Sequence, residues 1–287
     1  MAGERASVTS LVTPFADVRA RRSATQRALR LLWRNRLGLL GVSILSIVVL
    51  AAALSPFITP YDPMTGDITK RLTCPVLTRC PSFMPGATPV RGTLDHPLGT
   101  DQLGRDIFSR IVYGARVSLI VGLAAVLLGA GFGSTLGLIS GYYGGRIDAV
   151  IMRIGDLFLA FPYLLLAIAI VAVLGGGLLN VIIVLAIATW VPYARIMRGS
   201  VLSAKEQEYV IAARAIGVRD LALLFKHVAP NCLTPIIVFG TFNVAAAIIA
   251  EAGLSFLGLG VGATRPTWGN MLADGRAYVA TAWWLAT

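Results

Sequence analysis

Five stretches of the chain are continuously apolar at a length that suits a lipid bilayer. A span needs about 20 apolar residues to cross about 30 Å of hydrocarbon. Residues 37–58 form the first, with no charge inside it, and residues 117–140 the second, also uncharged. Residues 157–174 form the third. Residues 178–192 are the core of a fourth, after the breaker Gly175-Gly176-Gly177, and residues 233–250 make the fifth. The tail Ala282-Trp283-Trp284-Leu285-Ala286-Thr287 reads as the aromatic-belt entry of a sixth span whose body is missing. The pattern therefore predicts an all-α integral membrane protein, with five full spans and the start of a sixth in a chain cut short. The 22 apolar residues of the first span exceed the h-region of a cleaved signal, so it is expected to stay as an anchor.

The polar segments between the spans set the orientation. Residues 1–36 carry eight arginines against Glu4 and Asp17, and the loop 195–232 has six basic and three acidic residues. Both belong inside by the positive-inside rule, so the N-terminus is expected to be cytoplasmic and the loop 59–116 extracytoplasmic. Arg27, Arg30 and Arg34 alternate with Leu29, Leu32 and Trp33, which suggests an interfacial helix feeding the first span. The organisation is thus a basic segment 1–36, a first span 37–58, an outer loop 59–116 and a membrane core 117–287.

Composition sharpens this. Of 287 residues, 56% are hydrophobic and only 14% charged. A soluble domain has about 25% charged residues, so an ordinary cytosolic enzyme is excluded, and so is a disordered chain. The net charge of +11 follows from the cytoplasmic arginines and gives no ground for nucleic-acid binding. Three cysteines and two distant histidines, His96 and His227, supply no metal-ligand set. No H-E-x-x-H, G-x-S-x-G or phosphate-loop pattern occurs, so a non-catalytic protein is expected. Asp101, Arg105, Asp106 and Arg110 are spaced as ion pairs along one helix face.

Within the spans, Gly129, Gly133, Gly137, Gly141 and Gly145 recur every fourth residue. Glycine at that spacing forms a smooth ridge against which another helix packs closely. Pro162 and Pro192 are expected to kink their segments. Asn180 and Asn243 lie at membrane depth, and Glu251 is an acid at the outer end of the fifth span. Such groups are pathway candidates, with interhelical hydrogen bonding or capping as the alternative. Asn243, Glu251 and Ser255 are the candidates for the pathway or its gate.

The loop 195–232 is far longer than an ordinary interhelical connection. Glu208-Tyr209-Val210-Ile211-Ala212-Ala213-Arg214-Ala215-Ile216-Gly217 reads as a short helix stopped by Gly217. A second helix starts near Val218-Arg219-Asp220 and meets Pro230. Two short helices with small residues at their corner make a docking element. This stretch resembles the EAA loop of ATP-binding-cassette (ABC) importer permeases. Ala212, Ala213, Gly217 and Pro230 stand at the required spacing, with departures at Ile211, His227 and Ala229. Glu208-Tyr209, the run Leu98–Asp106, Gly114-Ala115-Arg116 and the run Glu251–Gly260 are similar to the dipeptide, oligopeptide and nickel branch, closest to the "C" permease subunit of dipeptide importers.

The resemblance, which covers roughly 95–287, implies a six-helix type I importer transmembrane domain in the cytoplasmic (inner) membrane. It implies import of dipeptides or short oligopeptides, with nickel or another small solute as the alternative. An ion-coupled secondary transporter or channel is the rival from another class. Glu208, Tyr209, Ala212, Ala213, Arg214, Gly217 and Pro230 become the ATPase-coupling residues. The implied partners are a second, homologous permease, one or more cytoplasmic ATPase subunits, an extracytoplasmic binding protein, the peptide and the bilayer. No cofactor is implied for this chain, since ATP and Mg would sit in the ATPase. Upstream of the matched region, residues 66–94 form a Pro-rich insertion on the oxidising side, where Cys74 and Cys80 are expected to form a disulfide. It is expected to contact the binding protein or line the outer gate.

Overall fold

The computed structural model describes residues 33, 35–76, 78–80, 90–262 and 265–286, the side chains of 79–80 and 90–91 excepted. Two units divide the chain, 1–48 and 49–287. The described part of the first is Trp33 and the start of an apolar helix, α1 (Arg36–Ala53), and the expected interfacial helix before it lies outside the described residues. Pro56 sits in the first turn of a separate four-residue helix, α2 (Ser55–Ile58), so the 37–58 stretch is helical in two pieces.

The second unit is built on three long helices: α3 (Ile107–Tyr143), α6 (Leu178–Ala204) and a run that ends in α9 (Ala229–Phe256). At 1.5 Å per residue the 37 residues of α3 reach about 55 Å, well beyond the hydrocarbon core. Asp106 caps its start, accepting from Ser109 N at 2.8 Å and Ser109 Oγ at 2.7 Å.

The glycine ridge explains how α3 meets α6. A methyl on Gly133 would stand 2.2 Å from the Trp190 carbonyl oxygen, and one on Gly137 2.2 Å from that of Ala194. Gly129 faces Ala186 and Gly141 faces Arg198 in the same way. Both helices advance by four residues per contact and in the same sense, so they run parallel with backbones touching. Gly145 departs from the expectation. It has open space around it and φ of +54°, because the helix breaks at Gly144 and restarts as α4 (Gly145–Leu159).

The third predicted span is corrected. It is not one helix over 157–174 but two, α4 and α5 (Tyr163–Leu174), bent by 91° at Ala160–Pro162. Proline removes the N–H that would continue the ladder and disfavours helical backbone in the residue before it. Counting that pair as one, five apolar helical segments among the described residues are long enough to cross a membrane.

The loop between α2 and α3 folds back with the last residues of the chain. Leu72, Cys74 and Ile107 form one buried cluster with Ala282, Trp284 and Leu285, and Trp284 Nε1 donates to the Thr100 carbonyl at 3.4 Å. The aromatic tail is thus packed against the loop, in place of the lipid-facing belt predicted for it. Cys74 is buried and disulfide-bonded, and the only described elements of the insertion beyond it are two paired two-residue strands, β1 (Arg79–Cys80) and β2 (Val90–Arg91). The Cys80 side chain lies outside the described residues.

Candidate coupling site and outer junction

The loop after α6 is built as a rigid projection. Helix α7 (Glu208–Ala215) begins with an acid and carries Arg214 in its last turn, both matched to the helix dipole. It stops in a Schellman motif: Gly217 N donates to the Arg214 carbonyl at 3.0 Å and Val218 N to that of Ala213 at 3.2 Å. Gly217 has φ of +81° with open space around its Cα, so backbone conformation, not crowding, requires glycine there. Val210 and Ala213 point inward, against Leu223, Leu224 and Val228. Glu208, Tyr209, Ala212, Arg214, Gly217 and Pro230 stay on the surface. The matched residues therefore split: Ala213 serves the packing of the corner, and the others offer a face. Ile211, Ile216, Leu221 and Phe225 are also exposed apolar side chains of this loop, which the loop's motif did not single out.

The second helix, which the sequence brought as far as Pro230, runs on past it. Helix α8 (Asp220–Ala222) runs through a π turn, Leu223–Val228, directly into α9. The wider turn accommodates Pro230, which has no N–H to donate. Asn231 Nδ2 then donates to the His227 carbonyl at 2.8 Å and to Tyr209 Oη at 3.2 Å, which ties α7 to α9.

One polar staple holds this projection to the membrane helices, and a second ties α3, α4 and α6 to one another beside it. Tyr142, at the end of α3, donates to Asp220 at 2.5 Å, and Arg214 reaches the Tyr142 oxygen at 3.4 Å while lying 5.8 Å over its ring. The Tyr142 oxygen raises the Arg214 pKa further. Asp148 of α4 accepts from Arg198 of α6 at 2.6 Å on each oxygen and from Ser140 of α3 at 2.5 Å. Sequence reasoning missed the Tyr142–Asp220 staple, whose partners are 78 residues apart.

Of the three pathway candidates, Glu251 and Ser255 bond each other, and Asn243 is not part of that pair. Asn243 donates to its own helix, at the Phe239 carbonyl, 2.9 Å away. Glu251 is fully buried, accepting from Ser255 Oγ at 2.7 Å and Ser118 Oγ at 3.3 Å, with Thr267 also beside it. Gly260 and Gly269 press on Ser255 so closely that a methyl on either would clash with it. Glu251 is thus a locking acid between α3 and α9, and Ser255 lines a cavity.

The charged cluster at 101–110 is also corrected. Asp101 and Arg105 precede the helix, Asp106 caps it, and Arg110 lies in its first turn. All four are buried. Asp101 accepts from Leu103 N, Arg105 N, Arg105 Nε and Arg110 Nη1, while Asp106 also bonds His96 Nδ1 at 3.0 Å. At the exposed edge of this junction, hydrogen bonds from Thr69 hold the Asp67 carboxyl below the usual carboxylate range.

Comparison with known proteins gives a consistent set of relatives. The profile of the binding-protein-dependent transport system inner membrane component family matches residues 133–286. That of the N-terminal transmembrane domain of oligopeptide transport permease C matches residues 23–75. The dipeptide transport system permease DppC of Alkalihalophilus pseudofirmus is 42% identical over 91% of this chain and 81% of its own. The di/tripeptide transport permease DppC of Pseudomonas aeruginosa is 41% identical over 88% and 80%. The oligopeptide transport permease OppC of Bacillus subtilis is 41% identical over 84% and 73%. Among solved structures, a chain of the MetNI methionine ABC transporter aligns over 60% of this chain and 81% of its own, at 17% identity and a TM-score of 0.46.

Proposed function

The chain belongs to the family of binding-protein-dependent transport system inner membrane components, and on that premise we propose that it is a permease subunit of an ATP-driven importer of dipeptides or short oligopeptides. The names of its relatives support the peptide cargo. It sits in the cytoplasmic membrane with its N-terminus inside, as the arginine-rich segment 1–36 favours. It carries no catalytic group of its own, and ATP and Mg are bound by separate ATPase subunits. A second, homologous permease completes the pathway, and an extracytoplasmic binding protein delivers the peptide.

The observation that carries this reading is the projection at 205–230. Its tip is locked by the Schellman motif and offers Ile211, Ile216, Leu221 and Phe225 to a partner. An exposed apolar face of this kind, on a rigid support, suits docking into a groove of an ATPase. From Asp220 the helical run continues without a break to Phe256, about 55 Å away. A displacement of the tip on ATP binding is carried as a rigid body to Glu251 and Ser255 at the far end. There the junction with α3 shifts, and access to the pathway alternates between the two sides.

The test is co-purification with the ATPase subunits, followed by dipeptide uptake into liposomes in the presence of the binding protein. Uptake that requires ATP and persists without an ion gradient supports the reading. Uptake by this chain without an ATPase contradicts it.

A further inference from the structure

A cavity of about 550 Å³ opens beside the charged junction, in the size range of small-ligand sites. Gln102, Arg105, Arg110, Ser255, Asp274 and Arg276 supply its polar wall. Arg110 is only 3% exposed, yet its Nε–H finds no acceptor among the described residues. Asp101 cannot serve it, because its two oxygens already accept four hydrogen bonds. Asp274 is a poor substitute: its Oδ2 takes long bonds of 3.3 and 3.4 Å from Arg105 and Arg110, and its side chain is 38% exposed. Gln102 Oε1, in the same wall, is buried and finds no donor. Arg276 stands at the rim, 5.2 Å over the Phe256 ring.

A buried guanidinium without full pairing is costly, and so is a buried carbonyl without a donor. Here the side chains that carry one unsatisfied donor and one unsatisfied acceptor line the same space, with three arginines and one aspartate in its wall. The geometry points to a binding site for a carboxylate that carries a neighbouring N–H, the pair found at the C-terminus of a peptide. The carboxylate takes the Arg110 Nε–H, with Arg276 closing over it, and Gln102 accepts from the last amide. Ser255, in the same wall, bonds Glu251 at the end of α9, so an occupied site touches the helix that carries motion from the coupling tip. The inference rests on the peptide-importer reading and names where the cargo first engages this subunit.

The experiment uses the whole complex in liposomes with its binding protein. The probes are dialanine and its C-terminally amidated form, and the variants are Arg110→Lys and Gln102→Leu. Gln102 lies outside the ion-pair network, so Gln102→Leu keeps the test alive if Arg110→Lys fails to assemble. The expected result for dialanine is a loss in kcat/KM of roughly 10-fold or more for Arg110→Lys and roughly 2- to 10-fold for Gln102→Leu, the worth of one charged and one neutral hydrogen bond. The amidated peptide, unable to anchor on the guanidinium, should be insensitive to both. Equal losses for the two peptides would mean a structural role and overturn the inference. So would a fall in ATPase stimulation by the peptide-free binding protein, which would assign the site to a carboxylate of that protein. Absence of ATP-dependent uptake by the wild-type complex would instead refute the importer reading.

Discussion

Replacing Gly137 with alanine isolates the contact on which α3 and α6 depend. The new methyl would lie 2.2 Å from the Ala194 carbonyl oxygen and 2.9 Å from its Cα, both backbone atoms that no rotamer change can move. Ordinary contact lies about 1 Å farther out, so the helices must separate. Overpacking of this kind costs about 1–3 kcal/mol. Alanine also gains about 1 kcal/mol over glycine in helix propensity, so the net loss is about 0–2 kcal/mol. Gly131→Ala provides the control, since it lies on the same helix with nothing within 4 Å. It gains the propensity and meets no clash, and the difference between the two variants is the clash alone, about 1–3 kcal/mol. At about 2–4 °C per kcal/mol for a chain of this size, Gly137→Ala should melt roughly 2–12 °C below Gly131→Ala. Cys232, a buried free thiol on α9, becomes available to a fluorogenic maleimide on unfolding and reports the transition. Equal melting of the two variants would refute the close packing of α3 on α6.

Gly217→Ala should strain the left-handed position by about 1–2 kcal/mol and raise the ATP hydrolysed per peptide imported, with Gly217→Asn milder. Tyr142→Phe removes the bond to Asp220, worth about 1–3 kcal/mol, and should speed amide hydrogen exchange across 208–219 while leaving that of α6 unchanged. Asp101→Asn leaves Arg105 and Arg110 buried beside a neutral group. A loss of about 3–5 kcal/mol is expected, seen as failure to recover assembled complex.

The helices of the membrane were legible because long apolar runs have few alternatives. The ridge at 129–141 was legible too, since four-residue spacing has one meaning on a helix. Its last member, Gly145, misled because two successive glycines at 144 and 145 take positive φ and end the helix. Pro162 announced a break but not a bend of 91°. The sequence brought the second helix as far as Pro230, but a π turn absorbs the proline, and Leu223, Leu224 and Val228 stay packed through the turn. The 101–110 cluster kept its ion pairs but not its helix, because Asp106 is a cap and the two residues before it bend back on Asp101. At 208–217 the sequence announced a short helix stopped by glycine, and both are there, but whether an alanine faced in or out depended on the neighbouring turn. The junction of the tail with residues 72–107 joins segments nearly 200 residues apart, which no local pattern encodes.

Ile216 offers the most direct measurement of the central claim. It is 82% exposed at the tip of the projection, so Ile216→Arg disturbs no packing within the chain. In liposomes holding the whole complex, the account predicts that dipeptide uptake and the ATPase activity stimulated by the binding protein fall together, while the melting temperature of this subunit stays unchanged. Wild-type uptake with wild-type ATPase stimulation in the arginine variant would contradict it.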